Sequence, residues 1–176
     1  MIRAGVVALS VLVATAFALR IREYAEIDRV WVPGTGRMLS AGVPVAAEIA
    51  TAAQAVRAAP DASSLVVFPE GQVLNFLSGK PNPLRQKLYI PGYLSATNEP
   101  QLLADLRRTH PGAIVLWRRS TEEYGPAEFG VDYGKDVFAW IEENYERSPI
   151  HPTHGLARLY LPRLPSATSV HEAAGR

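Results

Sequence analysis

The side chains able to do chemistry in this chain gather in two loops, each directly after an apolar run. Phe68-Pro69-Glu70-Gly71 follows Leu65-Val66-Val67, and Arg118-Arg119-Ser120 follows Ala113-Ile114-Val115-Leu116-Trp117. Glu70 can accept a hydrogen bond from a ligand hydroxyl or a partner loop. Its plainer role is to cap the short helix after it, where an anion at the amino end is stabilised. Asn75 can bind a ligand through its amide, or lock the loop at residues 80–83 by side-chain to backbone bonds. Arg118 and Arg119 match the oxygens of a phosphate, because guanidinium forks fit that group. The alternative is an exposed ion pair with Glu122 and Glu123, worth little energy. Tyr124 and Tyr133 flank glycines and offer ring faces to a sugar, or anchor their own loop. Asp132 reads as a helix N-cap rather than as an acid catalyst.

Other chemistries find no support. His151 and His154 are three apart, but Pro149 and Pro152 deny them a common helical face, and no acidic or cysteine partner sits at ligand spacing, so no metal is expected. The absence of cysteine removes disulfides, thiolate metal sites and thiol nucleophiles. Gly34-Thr35-Gly36 has no convincing strand before it and is too little for a nucleotide fingerprint. Neither G-x-S-x-G nor His-Glu-x-x-His occurs, so no hydrolase motif marks an independent enzyme, and no cofactor is implied. Lys and Arg total 18 against 17 for Asp and Glu, which leaves no basic surplus for a nucleic acid.

These loops need elements to hold them. The 176 residues are 48% hydrophobic and 20% charged, enough for one domain with a core and incompatible with wholesale disorder. The periodicity predicts a helix over 44–58 with Val45, Ile49, Ala52 and Val56 on one face. It predicts a buried strand at 65–68, a short helix over 71–78 closed by Gly79, and a proline-rich loop over 80–92. A helix over 100–109 opens at Pro100 and stops at His110-Pro111-Gly112. A second buried strand spans 113–117, and a polar loop runs over 118–130. A helix over 132–145 has Val137, Ile141 and Tyr145 on one face, and a half-buried edge strand spans 156–161 with Ala157, Leu159 and Leu161 pointing inward and Arg158 and Tyr160 on the polar side. The result is an α/β fold in two or three layers, with a short, mostly parallel sheet of about three strands. In such sheets ligands gather at the carboxyl ends of strands, which is where both chemical loops lie.

Residues 4–19, between Arg3 and Arg20, are uncharged and mostly apolar. At about 1.5 Å per residue they span about 24 Å, against about 30 Å of hydrocarbon. Flanking residues can extend the run, with Arg3 and Arg20 snorkelling to the headgroups. A membrane helix, a cleaved signal peptide and a buried helix of a soluble protein are the three readings, the last opposed by the lack of a polar face. The chain therefore divides into 1–22, a membrane helix or signal anchor; 23–164, a small α/β domain; and 165–176, a disordered tail. Arg20, Arg22 and Arg29 after the run, against Arg3 before it, favour a cytoplasmic domain by charge alone.

A set of short motifs in consistent order adds to this. Pro69-Glu70-Gly71, Asn75-Phe76-Leu77 and Lys80-Pro81-Asn82-Pro83 are followed by Arg119-Ser120-Thr121-Glu122-Glu123-Tyr124-Gly125. Phe129-Gly130-Val131-Asp132-Tyr133-Gly134 and Trp140-Ile141-Glu142-Glu143-Asn144-Tyr145 complete it. Over residues 64–146 this resembles the region after the last membrane helix of bacterial dolichyl-phosphate-mannose-protein mannosyltransferase-like glycosyltransferases. Pro91-Gly92-Tyr93 departs from that family's proline-proline-acid turn. The resemblance implies an extracytoplasmic domain at the bacterial inner membrane, opposite to the charge rule. It implies polyprenyl-phosphate sugar or acceptor glycan as ligand and a multi-helix membrane glycosyltransferase as partner. That family's catalytic carboxylate lies in an early loop with no counterpart in this chain, so an accessory role is expected. The alternative is a free-standing, membrane-tethered binding module.

Overall fold

The computed structural model describes residues 2–25, 27–32, 34–60, 62–149 and 155–163. His151, His154 and the tail from residue 165 lie outside the described residues.

The apolar run forms helix α1 (Ile2–Ala25), longer than its uncharged core because nothing before residue 26 breaks a helix. Its 18-residue stretch Gly5–Arg22 is long and apolar enough to cross a membrane, and none of it is buried against the rest of the chain. That removes the reading of a core helix, which would be mostly covered. Strands β1 (Ile27–Val32) and β2 (Arg37–Gly42) follow as an antiparallel hairpin, pairing Ile27 with Gly42 and Val32 with Arg37. Gly34-Thr35-Gly36 is its turn, fixed by the Thr35 hydroxyl donating to the Val32 carbonyl at 2.7 Å.

Helix α2 (Val43–Ala58) leads to β3 (Leu65–Phe68), then α3 (Gln72–Ser78). Helix α4 (Glu99–Thr109) leads to β4 (Ala113–Trp117), then α5 (Lys135–Asn144), β5 (Tyr145–Arg147) and β6 (Ala157–Pro162). The sheet order is β3-β4-β6-β5. Only β3 and β4 are parallel; β6 runs antiparallel to both its neighbours. The expectation of a mostly parallel, three-stranded sheet is thus corrected to a mixed sheet of four.

Both sheet faces are covered, so the fold has three layers. Leu65, Val67, Val115 and Leu159 face α2 and α3, while Val66, Phe68, Ile114, Leu116 and Tyr160 face α4 and α5. Burial on both faces is why β3 and β4 read as unbroken apolar runs. On α2, Ala46, Ala50, Ala53 and Val56 turn inward. Val45, expected among them, is 39% exposed and looks into a cleft instead.

Three expectations for the C-terminal half change. Strand β6 is internal, because β5 takes the edge beside it and Tyr160 is buried rather than solvent-facing. Helix α5 begins at Lys135 after Gly134 in the left-handed region, so Asp132 does not cap it. Asp132 accepts instead from the backbone N–H groups of Ala127 and Glu128, at 3.1 and 3.0 Å. The helix ends at Asn144, and Tyr145 is extended and buried, donating to the Pro111 carbonyl at 2.8 Å. Its i, i+4, i+8 spacing from Val137 and Ile141 imitates one more turn of helix.

Burial pushes the hydroxyls of Tyr89, Tyr145 and Tyr160 up from 10.0 to about 12, with Glu142 adding to the effect at Tyr160. The folded chain therefore holds protons that the unfolded chain releases. Their stabilisation is full below pH 10 and is lost as pH rises toward 12. Denaturant midpoints are expected to fall steeply across that window, less steeply in Tyr145→Phe; parallel slopes for the two proteins contradict this.

Candidate functional site

Parallel pairing brings the carboxyl ends of β3 and β4 side by side, as the sequence leads one to expect. Gly71 lets the chain turn there. A Cβ at that position would sit 2.7 Å from the Val67 side chain, and its φ of 146° suits no other residue. Across the strand ends Arg119 bonds Glu70 with one guanidinium nitrogen and Glu123 with the other. Burial disfavours the Arg119 charge, but Glu70, Glu123 and the Tyr124 hydroxyl outweigh it, so its pKa stands above the ordinary arginine value. These side chains keep about a third to a half of their surface in water, so the network contributes at most about 1 kcal/mol.

Glu70 thus meets a partner loop and does not cap α3, whose first residue follows Gly71 without a side-chain cap. Asn75 locks the surrounding backbone. Its amide donates to the Leu65 carbonyl at 2.8 Å and to the Lys80 carbonyl at 3.0 Å, joining α3 to β3 and to the loop after it. Asn75→Ala is expected to cost about 1–2 kcal/mol, since two carbonyls lose a donor. A denaturant-midpoint change worth less than about 0.5 kcal/mol would contradict that.

Tyr133 is an anchor rather than an open ring. It is half-buried, meets Phe129 edge-on at 5.7 Å, and its hydroxyl lies 3.5 Å from that of Thr121. Burial raises its pKa. Tyr124, at the end of the 3-10 turn Glu122–Tyr124, is 46% exposed, with its hydroxyl beside Arg119. Gly134 fits beneath the Phe129 ring, which a Cβ would meet at 2.4 Å.

Two clefts flank the strand ends, one on each face of the sheet. A cavity of about 130 Å³ lies on the α5 side, lined by Phe68, Leu116, Phe129, Phe138, Arg118 and Arg158 among others. A wider groove of about 450 Å³ lies on the α2 side, lined chiefly by Val45, Ile49, Val73, Leu88 and Trp117, with Lys87 at its rim. Trp117 and Arg119 border both.

The structure splits the expected Arg118–Arg119 pair. Both line the α5-side cavity, but Arg119 is engaged by Glu70 and Glu123, while among the described residues no carboxylate pairs with Arg118. Arg118 shares that cavity with Arg158, which sequence reasoning assigned only to the polar side of β6. The alternation there does place Arg158 on the face of Tyr160; what was missing was that this face is covered. Glu48 was also missed, because it stands within an alanine-rich helical stripe. It is fully buried, and its Oε1 accepts from the backbone N–H groups of Leu156 and Ala157 at 2.8 and 2.9 Å.

No family model, curated protein or solved structure matches the chain. Among the described residues no group of three or more His, Cys, Asp or Glu is placed to hold a metal ion.

The clefts lie at one particular end of the domain. Residues 25 and 27 are two steps apart, Ile27 pairs with Gly42, and α2 begins at Val43. Val45, two residues on, lines the groove. Chain connectivity thus keeps the end of α1 within about 25 Å of Val45, since paired strands lie about 5 Å apart and each residue reaches at most about 3.6 Å. Exposed Tyr124 and Val131 lie in the loop at this same end.

Proposed function

We propose that this chain is the extracytoplasmic C-terminal accessory domain of a polyprenyl-phosphate-sugar-dependent membrane glycosyltransferase. It is tethered to the bacterial inner membrane by α1 and helps to bind or shape the acceptor side of an active site whose carboxylate is supplied elsewhere. The observation that supports this reading is the convergence of the tether, the two clefts and the aromatic loop at one end. A helix that crosses a membrane would hold that end near the headgroups, where exposed tyrosine is favoured. Polyprenyl carriers present their sugars at the same level. The ordered motif resemblance over residues 64–146 points to the same class of partner.

In this role the domain supplies positioning: Tyr124 stacks on a ring, and the Glu70–Arg119–Glu123 network fixes the edge beside it. The full chain, purified from its own membranes in mild detergent, is expected to retain a multi-helix membrane protein that transfers sugar from a polyprenyl carrier. A reporter fused to its C-terminus is expected to be active outside the cytoplasm. Sugar transfer by the purified chain alone, or a cytoplasmic reporter, would overturn the proposal. Folded chain that reaches the membrane without such a partner would favour the free-standing binding module.

A further inference from the structure

We infer that Arg118 and Arg158 form an anion subsite that takes a phosphate group, with the aromatic wall of the α5-side cavity seating the apolar or sugar portion attached to it. This deepens the reading above by naming the ligand chemistry of one cleft, and it stands on the geometry of β4 and β6.

The two strands are antiparallel, with Leu116 opposite Arg158 and Trp117 opposite Ala157. The ladder continues one step beyond β4, where the Arg118 N–H donates to the Leu156 carbonyl at 2.6 Å. Arg118 therefore lies two residues along from Leu116 on the same face, diagonal to Arg158. Diagonal neighbours stand about 7–8 Å apart, within reach of two long side chains, and like charges so placed repel. Proteins ordinarily offset such a pair with a carboxylate. Here Glu70 and Glu123 are both taken by Arg119, and Glu142 accepts from the Tyr160 hydroxyl at 2.6 Å.

Among the described residues neither Arg118 nor Arg158 has an ion pair. Glu128 is the one carboxylate lining their cavity, and it is within ion-pair distance of neither. Arg119 also borders this cavity, but Glu70 and Glu123 hold both of its terminal nitrogens, which leaves Arg118 and Arg158 as the open guanidinium forks at the mouth of an apolar cavity. Phe68, Leu116, Phe129 and Phe138 form its walls. A group carrying more than one negative oxygen satisfies both forks at once, and phosphate does this better than a single carboxylate. The volume of about 130 Å³ admits a phosphate and a small part of what it is attached to.

The same phosphate chemistry comes from a lipid carrier or from a free phosphate or sugar phosphate, and the test separates them. The full chain in detergent is titrated with inorganic phosphate by calorimetry. In parallel, the chain reconstituted in neutral-lipid vesicles is compared with and without a few per cent of polyprenyl phosphate. Saturable phosphate binding is expected, weakened at least tenfold in Arg118→Gln and in Arg158→Gln. Arg107→Gln, which removes an equal charge at the far end of α4, is expected to leave it unchanged. Arg118→Lys and Arg158→Lys keep charge and fold and are expected to lose less than the glutamine variants. Glu128→Gln is expected to tighten binding. Carrier-dependent binding that both arginine variants abolish identifies the lipid as the source. Phosphate binding without carrier binding identifies a soluble ligand, and it removes the lipid from the accessory role while the subsite stands. No saturable binding of either probe overturns the inference. So does binding that folded Arg118→Gln and Arg158→Gln leave intact.

Discussion

Replacing Glu48 by alanine is expected to destabilise the domain by about 3 kcal/mol, among the largest effects a single side chain can have here. The carboxylate is wholly buried on α2 and accepts from two backbone N–H groups at the start of β6, 108 and 109 residues away. Removing it strands the buried Ala157 donor and takes the partner from the partly buried Leu156 donor. Each orphaned buried donor costs about 1–3 kcal/mol. Glu48→Gln keeps a carbonyl oxygen in the same position and is expected to cost about 1 kcal/mol, the difference between a charged and a neutral acceptor. Denaturant unfolding of the full chain in detergent, followed by tryptophan fluorescence, reads both values. A loss below about 1 kcal/mol for alanine would mean that β6 is held by its strand pairing alone. Residues 156 and 157 lead directly into Arg158, so Glu48→Ala is also expected to loosen one wall of the α5-side cavity.

Phe68→Ala is expected to cost about 3–5 kcal/mol, the usual range for deleting a buried phenylalanine. Phe68 has no solvent exposure. Its ring lies 4.5 Å from Tyr89 and stacks on Phe129 at 5.0 Å, centroid to centroid. Phe129 belongs to the loop between β4 and α5, so its stack on Phe68 ties that loop to the sheet. The deletion is therefore expected to raise amide exchange through residues 118–134 as well as to lower stability. Phe68→Leu fills most of the space and is expected to cost about 1–2 kcal/mol. Tyr124→Ala, on the exposed side of the same loop, is expected to stay within about 0.5 kcal/mol. Equal losses for Phe68→Ala and Tyr124→Ala would contradict the packing described.

Much of the central layer was legible because its physics is local. Strands β3 and β4 are buried on both faces and so read as continuous apolar runs. Helix α4 announces itself with Pro100 and stops where His110 adopts a left-handed φ of 41° before Pro111. Gly79 closes α3 in the same region of backbone space. The hairpin β1–β2 was not legible, because Asp28, Arg29 and Arg37 interrupt the alternation that marks a strand. Strand β5 has three residues, too few for a period, and without it β6 looked like an edge.

The meeting of the two chemical loops followed from two parallel strand ends, but the pairings between them did not. Arg119 reaches Glu70 across 49 residues, and no spacing rule relates residues so far apart. Arg118 looked equivalent to its neighbour. Only the long-range pairing of Arg119 with Glu70 and Glu123 separates the two, and only the covered face of β6 brings in Arg158.

The strand-end clefts are expected to sit at the membrane side of the domain. The chain has no cysteine, so single thiols can be introduced without background. Ser120→Cys labels the strand-end loop, and Arg107→Cys labels the last turn of α4 at the opposite end. Each is coupled to a fluorophore, and the full chain is reconstituted in vesicles containing spin-labelled lipid. The 16 residues of α2, which run the height of the domain, correspond to about 24 Å. Quenching is therefore expected to be several-fold stronger at position 120 than at 107. Equal quenching at the two sites, or stronger quenching at 107, would contradict the account.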